Sequence, residues 1–487
     1  MADVASGVRR KALVAIPTVL ALVVAVAGLV GWRTGRLDDW WHQVRGDDAV
    51  AGPAAVAPPQ GVEAPDVVRP DVVAQPVTER ALNRARIAAA LARPLAKPAL
   101  GSHVLAAVGT LDGPGLTYRS ASSGSFLATP ASTTKLVTTT TALFALGPAH
   151  TFDTTTVLTG AGAKRRLVLV GGGDPYLASA PQQDDPSPTY DLHRADVATL
   201  AARTAAVLRQ RGIRSVRLGY DDSLFSGPSV NTRWEDDYVS SGEVAPTSAL
   251  WVDEGHDAAG DSIANPPATA TAVFRKALVR RGITVTGAST PTVAPSGASP
   301  VAKVTSAPLA QVVQRILQVS DNDGAEVLLR QLGIAEEGQG SIAAGRVAVK
   351  KVLAANGIPL QGTVLYDGSG LSRQDLMSPN VLVGVLRLAA SSAHPELRPI
   401  IEGLPVAGYN GSLAESSGGP TPQGWGRVRA KTGTLTGVTA LAGIGVDRSG
   451  DPMVFVLMAD RVPVGKDALA RQWRDQAASA LGACRCG

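Results

Sequence analysis

The hexapeptide Pro130-Ala131-Ser132-Thr133-Thr134-Lys135, with the apolar and threonine run behind it, constrains this chain more than any other stretch. Ser132 and Lys135 stand three apart. In a helix starting near Ser132 that spacing stacks both side chains on one face. Pro130 punctuates the chain, and Leu136, Ala142, Leu143 and Leu146 supply a helical apolar stripe. A serine at such a start gains from the positive end of the helix dipole, which favours an alkoxide. A lysine withdrawn from water has a lowered pKa and can accept a proton as the neutral amine. The pair therefore reads as a nucleophile with its own base. Taken alone it is weak, because an N-capping serine and a solvated lysine show the same spacing.

Two further motifs follow in order, Ser320-Asp321-Asn322 and Lys431-Thr432-Gly433 with Thr434 behind it. The periodicity predicts a helix over 309–319 that delivers Ser320, and continued helix over 326–331. Helices are also predicted over 342–356 and 379–390. Alternation predicts antiparallel strands over 427–432, 439–446 and 453–458, the last two joined by Asp447-Arg448-Ser449-Gly450, with a covering helix over 466–481.

At 487 residues the chain suggests two or three domains. Arg9, Arg10 and Lys11 precede an uncharged apolar run over 12–32, a basic region followed by a secretory core. Ala25-Val26-Ala27 offers a cleavage site, while the run is also about 20 residues, enough for a retained anchor. Residues 1–33 thus read as signal peptide or membrane anchor, and the Pro- and Ala-rich stretch 34–78 as an extended spacer. A helix over 79–93 is expected to end at Pro94. Residues 104–108 and 116–120 read as a hairpin. Between the first and second motifs, strands are expected over 152–158, 166–170 and 213–218, with helices over 197–211 and 269–281. Residues 234–250 read as loop and 289–300 as a Pro/Ser/Ala-rich closing segment. Residues 155–300 thus form an inserted unit, and 79–154 with 301–487 the catalytic body. Gly171-Gly172-Gly173-Asp174-Pro175 is a turn rather than a phosphate cradle, since no Lys-Ser/Thr follows. Asp367-Gly368-Ser369-Gly370-Leu371-Ser372 reads as a polar turn and fits a nucleophile elbow poorly.

A net charge of +5 is small for this length and argues against nucleic acid as a partner. The six histidines form no ligand pattern, so no metal and no cofactor are expected. Cys484 and Cys486 are the only cysteines. A bridge across two positions is expected to be strained, so they read as a frayed tail, with pairing to another chain possible outside the cell.

The three ordered motifs belong to a known set, and the chain resembles penicillin-binding D-alanyl-D-alanine carboxypeptidase/endopeptidases of the low-molecular-mass, large-insertion type. Gly171–Pro175, Asp222-Ser223-Leu224-Phe225, Asp367 to Arg373 and Leu404-Pro405-Val406-Ala407-Gly408 are similar to further landmarks of that family. The resemblance implies an α/β penicillin-binding/β-lactamase-like transpeptidase fold, an antiparallel sheet flanked by helices, with a large inserted domain. It implies Ser132 as nucleophile, Lys135 as base, Ser320 as proton relay and Asn322 as substrate and lysine ligand. Lys431 would keep the Ser320 side electropositive, and Thr432, Gly433 and Thr434 would bind substrate. Peptidoglycan stem peptides and β-lactam antibiotics are the implied partners, in the cell envelope. A bulkier residue is expected where Asp323-Gly324 stands. A β-lactamase is the nearest enzymatic alternative, although its first two motifs should lie closer together and no deacylating glutamate is evident. A catalytically silent wall-binding scaffold is the non-enzymatic one.

Overall fold

The computed structural model describes residues 80–182, 192–414 and 421–487. The expected leader and spacer, residues 1–78, lie outside them. Helix α1 (Arg84–Leu95) begins later than the pattern suggests, because Asn83 caps it by accepting from the Ala85 and Arg86 amides at 3.0 and 3.1 Å. It also runs through Pro94 to Leu95. A proline in the last turn forfeits only one hydrogen bond, so it does not stop the helix at that point.

Strands β1 (Val104–Gly109) and β2 (Tyr118–Ala121) form the expected hairpin. A 3-10 turn over Ala131–Thr133 leads into helix α2 (Thr134–Leu146), in which residues 134–143 are all buried. A run of threonines is tolerated there because their hydroxyls bond back into the helix. Thr139 donates to the Lys135 carbonyl at 2.6 Å and Thr141 to that of Val137 at 2.7 Å.

The chain then builds a second sheet from β3 (Asp153–Thr159), β4 (Arg166–Val170), helix α3 (Val197–Gln210), β5 (Ser215–Asp221), helix α4 (Pro266–Arg280), β6 (Thr284–Pro291) and β7 (Pro300–Thr305). Its order is β6-β5-β4-β3-β7. The β4–β5 and β5–β6 pairs are parallel and crossed over by α3 and α4, while β3 pairs antiparallel with β4 and β7. Leu200, Leu208, Phe274 and Leu278 pack the helices onto Leu167 and Leu218. The segment 289–300, read as a Pro/Ser/Ala-rich closing segment, is strand at both ends. Pro291 closes β6 and Pro300 opens β7, positions where a missing N–H costs no ladder bond.

Helices α5 (Leu309–Val319), α6 (Asn322–Glu337), α7 (Ile342–Ala355), α8 (Pro379–Ala390) and α9 (Arg398–Gly403) follow. Strands β8 (Val428–Leu435), β9 (Val438–Val446) and β10 (Pro452–Ala459) then complete the first sheet, antiparallel throughout, in the order β2-β1-β10-β9-β8. The largest core lies between this sheet and α2, α5, α6 and α8, with Leu136, Leu143, Val312, Ile316, Leu328 and Leu382 fully or almost fully buried. Each such side chain contributes about 1.5–3 kcal/mol. Strand β8 is an edge of this sheet, and its outer row bonds at Val428 and Ala430 to the 405–407 segment rather than to another long strand.

Helix α10 (Asp467–Ala483) backs the sheet, and the tail behind it corrects the cysteine reading. Cys484 and Cys486 are bonded to each other, with Cα atoms 5.4 Å apart. That separation lies within the ordinary span of a bridge, so the two-residue spacing does not exclude one. The tail is held rather than frayed. Asp447 accepts from the Cys486 and Gly487 amides at 2.6 and 3.1 Å, and Asn83 donates its amide to the Cys486 carbonyl at 2.6 Å.

Candidate active site

The 3-10 turn that carries Ser132 is tight, and Ala131 before it has φ +46°, a conformation unusual for a residue with a side chain. It sets Lys135 beneath the serine. Lys135 Nζ lies 2.9 Å from Ser132 Oγ, 2.7 Å from Asn322 Oδ1 and 2.8 Å from the Ser369 carbonyl oxygen. The Asn322 and Ser369 oxygens can only accept, so they occupy two N–H bonds of the amine. The third tetrahedral position faces Ser132 Oγ and is a lone pair when the amine is neutral. Burial depresses the Lys135 pKa to about 8, against the opposing pull of Asp321, Asp367, Glu326 and Asp323.

The second motif sits at a sharp break between two helices. Helix α5 ends at Ser320, which adopts a left-handed conformation with φ 62° and ψ 37°. Asp321 then caps α6, its Oδ1 accepting from the Gly324 amide at 3.1 Å and its Oδ2 from the Tyr176 hydroxyl at 2.5 Å. Asn322 is therefore the first residue of α6, not the end of α5. Its Nδ2 donates to the Glu243 carbonyl at 2.8 Å, which turns Oδ1 toward Lys135. The unexpected Asp323-Gly324 pair has a packing explanation. A Cβ on Gly324 would lie 2.8 Å from Asp321 Oδ2 and 2.9 Å from Ile316 Cγ1. Asp323 is buried and accepts from the Ala245 amide and from His256 Nε2, both at 2.8 Å. Burial lifts its carboxyl to about 6, and its hydrogen bond raises His256.

Edge strand β8 brings in the third motif. Lys431 is fully buried and donates from Nζ to Ser320 Oγ and to the Thr432 carbonyl, each at 2.8 Å. Burial, with Lys135 and Arg474 nearby, holds its pKa well below the ordinary lysine value. Thr432 and Thr434 line the cleft with Ser132, Ser320 and Asn322, and Ser412 Oγ lies 2.9 Å from Thr432 Oγ1. Gly433 is not among the lining residues and instead gives clearance to the turn that carries Ser132.

Two parts of the site escaped the sequence reading. The first is the supposed polar turn, 367–372, which is a buried floor. Asp367 accepts from the Gly370 and Ser372 amides at 2.7 and 2.6 Å and from Trp234 Nε1 at 2.9 Å. The clue was its dense Asp-Gly-Ser-Gly-Leu-Ser pattern, which local spacing could not connect to Lys135. The second is the stretch 234–250, expected to be loop away from the chemistry. It is irregular, but Tyr238 and Glu243 line the cleft, together with Arg471 and Asp467 of α10. The cleft encloses about 520 Å³. A larger cavity of about 700 Å³, between the β1–β2 loop and α8, contains no residue of the three motifs.

The family model described as D-Ala-D-Ala carboxypeptidase 3 (S13) matches residues 87–260 and 257–481. The chain is 33% identical over 492 residues to a protein of Mycolicibacterium smegmatis named Carboxypeptidase DacB, with 98% of each covered. Its fold is similar to the crystal structure of penicillin binding protein 4 from Haemophilus influenzae, with a TM-score of 0.65 at 22% identity, over 79% of this chain and 97% of that one. The same protein complexed with a β-lactam matches with a TM-score of 0.62, at the same identity and coverage.

Proposed function

The chain belongs to the D-Ala-D-Ala carboxypeptidase 3 (S13) family of serine peptidases, and from that premise we propose that it cleaves the bond following D-alanine in peptidoglycan stem peptides through an acyl-enzyme on Ser132. The observation that carries the reading is the paired contact of Lys135 Nζ with Ser132 Oγ and Lys431 Nζ with Ser320 Oγ. Two buried lysines each address one serine at a single cleft, which suits a reaction with one proton to remove and one to deliver.

Ser132 Oγ attacks the carbonyl between two D-alanines and neutral Lys135 takes its proton. Ser320, held by Lys431, passes a proton to the leaving amine. The backbone N–H groups of Ser132 and Thr434 stabilise the oxyanion, one such donor being worth roughly 10²–10³ in rate. Thr432 or Thr434 receives the terminal carboxylate beside Lys431. Water then hydrolyses the ester, and a β-lactam enters by the same acylation step. The enzyme works outside the cytoplasm, either secreted or held by residues 1–33. Residues 79–154 and 301–487 form the catalytic body, while 155–300 is an insertion that adds a wall to the cleft. Endopeptidase action on cross-links is a second use of the same site, since the acceptor residue also has a carboxylate at its reacting centre.

The test is to incubate the purified protein with a pentapeptide muropeptide, a cross-linked dimer and a penicillin, then weigh the products. Loss of one alanine supports carboxypeptidase action, and release of monomers supports endopeptidase action. A free carboxylate gains of the order of 1.5–3 kcal/mol from such a contact, so its amidation should slow turnover by roughly ten- to a hundredfold. Rapid turnover of the penicillin alone would favour a β-lactamase, and three intact compounds a silent scaffold.

A further inference from the structure

Glu326 stands four residues beyond Asn322 on α6, so the two share a helix face. Asn322 takes one N–H of Lys135, and Glu326 reaches the floor that takes another. Its Oε1 accepts from the Gly368 and Ser369 amides at 2.9 and 2.8 Å, while the Ser369 carbonyl accepts from Lys135 Nζ at 2.8 Å. The peptide group of that carbonyl is held at its other end as well, because the Gly370 N–H donates to Asp367 Oδ1 at 2.7 Å. Glu326 is only 1% exposed. A buried carboxylate is a costly way to hold two amides unless its charge also serves a purpose.

We infer that Glu326 is a positioning residue for Lys135, fixing the Ser369 carbonyl against the amine and setting, through its charge, the pH at which the amine becomes neutral. The inference rests on the reading of Lys135 as the base. The carboxylates acting on Lys135 are Asp321 and Asp323 near the start of α6, Glu326 further along it, and Asp367 from the floor, and all favour the ammonium. Lys431 on β8 feels the Lys135 charge, which with burial lowers its own pKa. Glu326 itself feels Asp367 and Asp375 from the floor and Arg330 from its own helix. Burial, with Asp367 beside it, lifts Glu326 to about 7.

The experiment measures the rate of Ser132 labelling by a fluorescent penicillin between pH 5 and 10, in the wild type, Glu326→Gln and Glu326→Asp. Melting temperatures accompany each profile. Removing a nearby negative charge lowers a lysine pKa, so the acid limb of Glu326→Gln should move ~0.5–1 unit to lower pH. Glu326→Asp keeps the charge but is one methylene short. Its limb should stay with the wild type while its plateau rate falls about tenfold. A Glu326→Gln limb that superimposes on the wild type overturns the inference and leaves the nucleophile assignment standing. If Glu326→Gln does not fold, the Asp variant decides: wild-type rate and limb together overturn the inference. Labelling that persists in Ser132→Ala sinks the parent reading, and the inference with it.

Discussion

Gly433 lies against Pro130 with no room for a methyl group. A Cβ on Gly433 would sit 2.6 Å from the Pro130 carbonyl oxygen and 3.3 Å from the Ala131 Cβ. Through this contact the third motif bears directly on the turn that carries Ser132.

Gly433→Ala should therefore act on the site before it acts on the fold. Overpacking of this kind costs about 1–3 kcal/mol. A shift of the turn by a fraction of an ångström should slow penicillin labelling at least about tenfold. Thermal melting and a labelling time course on the same preparation check this. A variant that labels at the wild-type rate would mean that the strand and the turn are free to separate.

Labelling of the wild type should follow Lys135. Burial brings this amine down to about 8. The neutral form is the acceptor, so the rate should climb about tenfold per pH unit below the pKa and level off above it. Lys135→Ala should lose labelling across the range. A flat profile from pH 6 to 9 in the wild type would argue for another base.

His256 should matter for the cleft wall. His256→Ala leaves buried Asp323 with the Ala245 amide alone of these two donors, a loss of about 1–3 kcal/mol. Its native pKa is raised by Asp323. The contribution is therefore lost as the pH climbs through the raised native value of His256, and it also fades on the acid side as Asp323, lifted to about 6, takes up its proton. Melting curves of wild type and variant across pH 5–8 should converge toward the alkaline end. Curves that stay parallel would show that the histidine is not titrating against Asp323.

Opening the Cys484–Cys486 bridge should be mild. The ring it closes is small, so chain entropy assigns it about 1–2 kcal/mol. Asp447 and Asn83 also hold the tail through its backbone. Cys484→Ser with Cys486→Ser should lower the melting temperature by ~2–4 °C and leave penicillin labelling unchanged, since neither residue lines the cleft. Collapse of the fold on reduction would give the bridge a far larger part.

Much of this site was legible because it is local. The Ser132–Lys135 spacing guarantees proximity once any helical turn forms, and α5 and α8 carry an apolar period with proline or serine at their starts. Both helices lie over the residues that their patterns predict, 309–319 and 379–390. Strands β8, β9 and β10 alternate clearly enough to fall within a residue or so of expectation at most ends, though β8 runs on to Leu435.

The sequence by itself determined that a serine and a lysine would meet, that two more polar motifs would follow, and which chemistry such a trio suits. Tertiary structure alone decided what surrounds them. Ser320 turns left-handed because the chain must leave α5 and re-enter α6 at Asn322 within two residues. Glu326 and Asp367 read as an ordinary helix acid and an ordinary turn acid until packing buries them beneath Lys135. Tyr238 and Glu243 reach the cleft only because Trp234 anchors their segment on Asp367 and Asp323 takes the Ala245 amide. Neighbours three or four residues apart are set by helix geometry, which composition and spacing reveal. Neighbours a hundred residues apart are set by which apolar faces pack together, and no local pattern records that outcome.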